Sequence, residues 1–143
     1  MFERYTEEAR RTIHDSKCEA DRLGSDELAN EHILLVLLND ARLSSLLLEG
    51  RRIQDARDEI LARVTVRPLP SLPRDIPFGE DARQTLLLAV EEADRLGDRY
   101  VGNRHILLGL LRVENGIAPQ LLHDRGLSAD KVRSRITARD DHG

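Results

Sequence analysis

Tryptophan is missing from this 143-residue chain, and Phe and Tyr together make up only 3% of it. Sheets draw on aromatic and β-branched side chains, so a composition dominated by Ala, Leu, Arg, Asp and Glu points to helices. A single cysteine, Cys18, excludes an internal disulfide and belongs to no CxxC or Cys/His cluster, which fits a reducing, cytoplasmic setting. No apolar run approaches the roughly 20 residues a bilayer span needs, and Met1 leads into FERYTEEARR instead of a basic-then-apolar leader. Membrane insertion and processing are therefore not expected. The 22 basic and 26 acidic residues are interleaved, for a net charge of −4, which leaves no basic field for a nucleic-acid backbone. No GxxxxGK[ST] run occurs, so these residues supply no phosphate-cradling loop and are not expected to hydrolyse ATP.

What the chain does have is a copy of itself. Laid over residues 81–111, residues 8–38 agree at about half of their positions, under the 73-residue offset that separates Ala9 from Ala82. ADRLG recurs at Ala20–Gly24 and Ala93–Gly97, and NEHILLVLL from Asn30 to Leu38 falls on NRHILLGLL from Asn103 to Leu111. Towards the end of each copy the offset becomes 76, pairing Ile60 with Ile136, which places a loss of about three residues near residues 40–52 of the first copy. A repeat this short cannot bury its own apolar faces, so the two copies are expected to share one core.

Helical spacing predicts a helix capped by Thr6 and ended by Gly24, a second capped by Asn30, and short helices over about Leu43–Glu49 and Gln54–Val64. The pattern restarts with helices over about Glu80–Leu96, Asn103–Arg112, Gly116–Asp124 and, capped by Ser128, to about Ala138. Between them Pro68, Pro70, Pro73 and Pro77 exclude helix and predict an extended strap. The fold class is thus all-α: a pseudo-twofold bundle of two four-helix repeats, about 1–66 and 78–139, joined by a proline-rich linker over about 67–77.

MFERYTEEAR, the doubled ADRLG, the doubled N-x-HILL-x-LL and the prolines before Ile76–Pro77–Phe78 resemble the N-terminal domain of the Clp (Hsp100) unfoldases, closest to the ClpC type. The resemblance covers nearly the whole chain. It implies a non-catalytic module that receives protein substrates or adaptors for an AAA+ motor; without a motor in these residues, a stand-alone regulator or decoy is the favoured form. The alternative is the N-terminal piece of a full ATP-dependent unfoldase; a small hydrolase is the least favoured reading. The resemblance also implies that the acid opening each HILL motif pairs with the guanidinium of phosphoarginine. Glu31, after Asn30, fits that position, whereas Arg104, after Asn103, reverses its charge. Two cations 4 Å apart repel by roughly 4 kcal/mol at an effective dielectric near 20, so the implied pair of sites reduces to one.

Phe2, Tyr5 and Phe78 precede the first helix of each repeat, where they can staple helix entries; the resemblance adds a hydrophobic groove there that accepts peptides, including cyclic ones. His32 and His105 are expected to tie helix start to loop by hydrogen bonding. With His14, His123 and His142 they form no HExxH or other ligand pair, so no metal and no cofactor is expected. No nucleophile, base and orienting group come together in a catalytic pattern either. Gly79 stands where relatives carry Thr, and Gly116 keeps a glycine turn that the first repeat lacks, so partners that grip the first-repeat loop are expected to bind poorly.

Overall fold

A computed structural model describes residues 2–48, 52–66 and 75–142. Among them the chain forms α1 (Glu7–Arg22), α2 (Asn30–Leu37), α3 (Ala41–Leu48), α4 (Ile53–Arg63), α5 (Glu80–Leu96), α6 (Asn103–Arg112), α7 (Ile117–Asp124) and α8 (Ala129–His142). The expected eight-helix, all-α architecture is what the structure has. Pro68, Pro70 and Pro73 of the strap, and Glu49, lie outside the described residues.

Local chemistry accounts for most boundaries. Thr6 Oγ1 accepts the Ala9 N–H at 3.0 Å, with Glu7 and Glu8 beside the free N–H groups of the first turn. Gly24 and Gly97 close α1 and α5 at φ 74° and 75°, a conformation that costs glycine nothing. Ser128 Oγ accepts the Lys131 N–H at 3.2 Å and opens α8.

The cap expected at Asn30 is a correction, and its counterpart Asn103 is placed the same way. Each is the first residue of its helix, buried at 1% and 7% exposure, and the cap positions belong to Ala29 and Gly102. The imidazoles take over the reach-back half of a capping box: His32 Nδ1 accepts the Ala29 N–H at 2.9 Å and His105 Nδ1 the Gly102 N–H at 2.8 Å. That role, expected of the histidines, releases both asparagine side chains to face the opposite repeat.

The halves are joined reciprocally. The Thr6 N–H donates to Val101 O and the Val101 N–H to Arg4 O, both at 2.9 Å; the Gly79 N–H donates to Leu28 O and the Leu28 N–H to Pro77 O, both at 2.8 Å. Each partner maps onto its counterpart under the repeat offset, so the entry to one repeat's first helix is clamped to the loop before the other's second helix. Helices α2 and α6 form the centre, burying Ile33, Leu34, Leu35 and Leu37 with Ile106, Leu107, Leu108 and Leu110 in one core. Full burial of one such side chain contributes about 1.5 to 3 kcal/mol. Ion pairs fasten the outer helices in matching places: Glu19 to Arg57, and Glu92 to Arg133. The shortened stretch of the first repeat is the turn from Leu37 to Ala41, opposite the longer turn from Arg112 to Ile117, where Gly116 adopts φ 121°.

Candidate functional site

The two repeats each open a cleft at the start of their second helix. One, of about 500 Å³, is lined by Ser25, Asp26, Glu27, Ala29, Glu31 and His32, with Arg63 and Val64 from the end of α4, Thr65 just after it, and Ile117 from α7. The other, of about 720 Å³, is lined by Asp98, Arg99, Tyr100, Gly102, Arg104 and His105, with Thr6, Glu8, Asp40, Arg42, Asn103 and the apolar Leu43, Leu46 and Ile136. The first six residues of each set correspond one for one under the repeat offset. The clefts are therefore two versions of a single place in the fold, and their chemistry has diverged.

In the first cleft carboxylates dominate: Asp26, Glu27 and Glu31 against Arg63. Burial pushes the Glu31 carboxyl above the usual range, and the neighbouring Asp81 and Glu27 carboxylates push the same way against a backbone hydrogen bond. A cation entering here relieves that repulsion. Asn30 does not line the cleft; its Oδ1 accepts the Thr85 hydroxyl at 2.7 Å, and its backbone N–H donates to Asp81 Oδ2 at 3.2 Å. The helix start that Glu31 occupies is thus held from the other repeat.

In the second cleft acids and bases balance. Arg104 Nη2 donates to Asp98 Oδ2 at 2.9 Å, and His105 Nε2 meets the same oxygen at 2.8 Å. Asn103 lines this cleft, its Nδ2 donating to Glu8 Oε1 at 3.1 Å and Asp40 Oδ2 at 3.0 Å. Burial would raise the Asp40 carboxyl, but hydrogen bonds with Asn103 and Glu8, the Arg42 backbone N–H and the Arg42 charge hold it below its ordinary value. The Arg99 guanidinium lies 5.4 Å from the centre of the Tyr100 ring, which is 53% exposed.

Phe2, Tyr5 and Phe78 come together elsewhere: the Phe2 ring centre is 5.1 Å from Tyr5 and 6.0 Å from Phe78, with Lys17 Nζ 4.8 Å over Phe78. Tyr5 is buried and its hydroxyl donates to Leu86 O at 2.7 Å, so it acts as a staple between repeats, leaving Phe2 and Phe78 half-buried at the surface.

Sequence reasoning singled out Glu31, Arg104 and the aromatic trio and passed over Ser25, Asp26 and Glu27, which line the first cleft, with their counterparts Asp98, Arg99 and Tyr100 in the second. Carrying the repeat alignment through the loop before the HILL motif would have exposed that charge reversal. Arg63, Asp40 and Arg42 reach the clefts only through tertiary packing, and no local pattern announces them.

The family described as Clp repeat (R) N-terminal domain matches residues 4–124 and residues 77–142. A ClpA homolog, named as an ATP-binding subunit of the ATP-dependent Clp protease in Guillardia theta, is 37% identical over 139 residues, covering 95% of this chain and 17% of that protein. Chloroplastic chaperone protein ClpC1 of Arabidopsis thaliana is 36% identical over 139 residues, again 95% of this chain and 15% of its own length. The chain thus spans less than a fifth of either relative. Among solved structures, the N-terminal domain of the ClpD chaperone from Arabidopsis thaliana superposes with a TM-score of 0.76 at 28% identity, covering 99% of this chain and 97% of that one. Among the described residues no helix is long and apolar enough to cross a membrane.

Proposed function

The chain belongs to the Clp repeat (R) N-terminal domain family, and from that premise we propose that it is a docking module that receives polypeptides or adaptor proteins for a Clp-type unfoldase without transforming them chemically. The observation that carries this reading is the pair of corresponding clefts, each built where a helix start of one repeat is held by the other repeat. Both clefts lie against the shared core, and their lining offers charge and hydrogen bonds instead of an activated nucleophile. The half-buried faces of Phe2 and Phe78 add an apolar contact of the kind a hydrophobic or cyclic peptide takes.

Within this reading Glu31 is the position that accepts a guanidinium. Arg104, tied to Asp98, presents the opposite charge, so phosphoarginine binds once per chain. As a free protein the module competes with an unfoldase's own N-terminal domain for substrates. Anisotropy with a labelled unfolded polypeptide such as casein tests the docking: saturable binding is expected, and none at any concentration overturns it. Titration calorimetry with phosphoarginine on wild type, Glu31→Ala and Arg104→Glu tests the finer assignment. One binding event lost on Glu31→Ala is the expected result, and heat from the wild type that Glu31→Ala leaves unchanged removes Glu31 from the site.

A further inference from the structure

The two histidines that open α2 and α6 form a controlled comparison within one molecule. Both rings accept a backbone N–H at Nδ1, so both neutral rings carry their proton on Nε2. His105 Nε2–H has an acceptor, Asp98 Oδ2 at 2.8 Å. His32 is just as buried, at 2% exposure, yet its Nε2 has no hydrogen-bond partner among the described residues. The cause is a single difference: Ser25 occupies the place of Asp98, and its hydroxyl is turned to Glu27 O at 2.7 Å. A buried donor without an acceptor is unfavourable, and a ligand supplying that acceptor recovers the loss.

The surroundings select which acceptor. His32 lines the same cleft as Asp26, Glu27 and Glu31, with Arg63 the only guanidinium among its described lining residues, so a further carboxylate entering there meets net repulsion. A neutral carbonyl does not, and a cation attached to it gains from the acidic rim. An extended polypeptide with basic side chains carries both groups a few ångströms apart. We propose that the first-repeat cleft binds an unmodified, arginine- or lysine-bearing segment of a partner protein, its main-chain carbonyl accepting from His32 Nε2–H and its basic side chain meeting Glu31 and Glu27. The carbonyl takes the place that Asp98 fills in the second repeat. Nε2 is shielded from bulk water, so the hydrogen bond forms where water competes least. The assignment rests on the docking reading and adds to it the ligand's chemistry, with no phosphoryl group required.

The probe is a peptide of alternating arginine and glycine, blocked at both ends, titrated into the ¹⁵N-labelled protein while the imidazole nitrogens are followed by NMR. His32 Nε2 is expected to shift with saturation and His105 Nε2 to stay in place. Ser25→Asp, which installs the second repeat's own acceptor, is expected to weaken peptide binding at least tenfold although it adds a negative charge. Glu31→Gln is expected to weaken it severalfold, and a glutamate–glycine peptide is expected not to bind. If His32 Nε2 does not move, or if Ser25→Asp binds the basic peptide as tightly or more tightly, the cleft is only an acidic surface and the proposal fails. Unfolded casein run alongside separates the two claims: casein bound and peptide ignored overturns the cleft assignment alone, whereas neither bound overturns the docking reading with it.

Discussion

Thr85 on α5 donates its hydroxyl hydrogen to Asn30 Oδ1 on α2 at 2.7 Å, and both side chains are sealed from water. The repeat offset maps this pair onto Thr12 and Asn103, but Asn103 turns instead to Glu8 and Asp40. One interface between the repeats is therefore tied by a neutral buried bond and the other by carboxylates at the rim of a cleft. Thr85→Val removes the donor and leaves Asn30, whose Nδ2 already has no partner among the described residues, with a second unpaired polar atom. A loss of about 1 to 3 kcal/mol is expected from urea unfolding. Thr12→Val is expected to lose less, and equal losses would show that the Asn30 bond contributes nothing particular.

Gly109 marks where α5 and α6 touch. A Cβ built there would sit 2.9 Å from Ala89 N and closer still to Thr85 O, and neither backbone atom can swing aside. Its counterpart in the first repeat is Val36, only half-buried, so α1 and α2 leave room for a side chain where α5 and α6 do not. Gly109→Ala is expected to destabilise by about 1 to 3 kcal/mol by overpacking, with a lower melting temperature as the readout. Val36→Ala, which trims a half-buried side chain, is expected to cost less.

Glu92 is fully buried and faces Arg133 on α8, Arg112 on α6 and Arg95 one turn along α5. Removing the one acid leaves Arg133 and Arg112 only the exposed carboxylates of Asp130 and Glu91, and breaking a buried pair in this way costs about 3 to 5 kcal/mol. Glu92→Ala is expected in that range by chemical denaturation. Glu19→Ala, the corresponding change beside Arg57 and Arg22, is expected to cost distinctly less because that carboxylate is partly hydrated.

Most of the architecture was legible in the sequence because duplication doubles the evidence. A helix start that is ambiguous in one copy, such as Asn30, is confirmed by the same residue types at Asn103. The error on the Asn30 cap came from treating a local rule as sufficient. An asparagine at a helix start can cap, but an imidazole three residues later already satisfies the backbone, and tertiary packing then claims the amide. The candidate site was half legible for the same reason. The reversal from Glu31 to Arg104 stands in the aligned motif, whereas Asp40 and Arg42 enter the second cleft from α3 and its preceding turn across the repeat boundary, in the one region where the repeats differ in length.

The same two imidazoles make stability depend on pH. Burial lowers the pKa of both His32 and His105, with Asp98 partly opposing the shift at His105. An unfolded histidine titrates near pH 6.5, so below that value the unfolded chain binds protons that the folded chain refuses. The stabilisation is complete above about pH 6.5 and is lost as pH falls towards the folded-state values. Protonating either ring also sets a new N–H at Nδ1 against the cap N–H it now accepts. Glu31, whose pKa is raised, works in the opposite direction at lower pH, so the useful quantity is a difference between variants in which its contribution cancels. Gln at the same positions keeps the reach-back acceptor of a capping box and does not titrate. Urea unfolding between pH 7.5 and 5.5 is therefore expected to show the wild type losing stability more steeply than His32→Gln/His105→Gln. Parallel curves would mean that these rings do not carry the pH dependence.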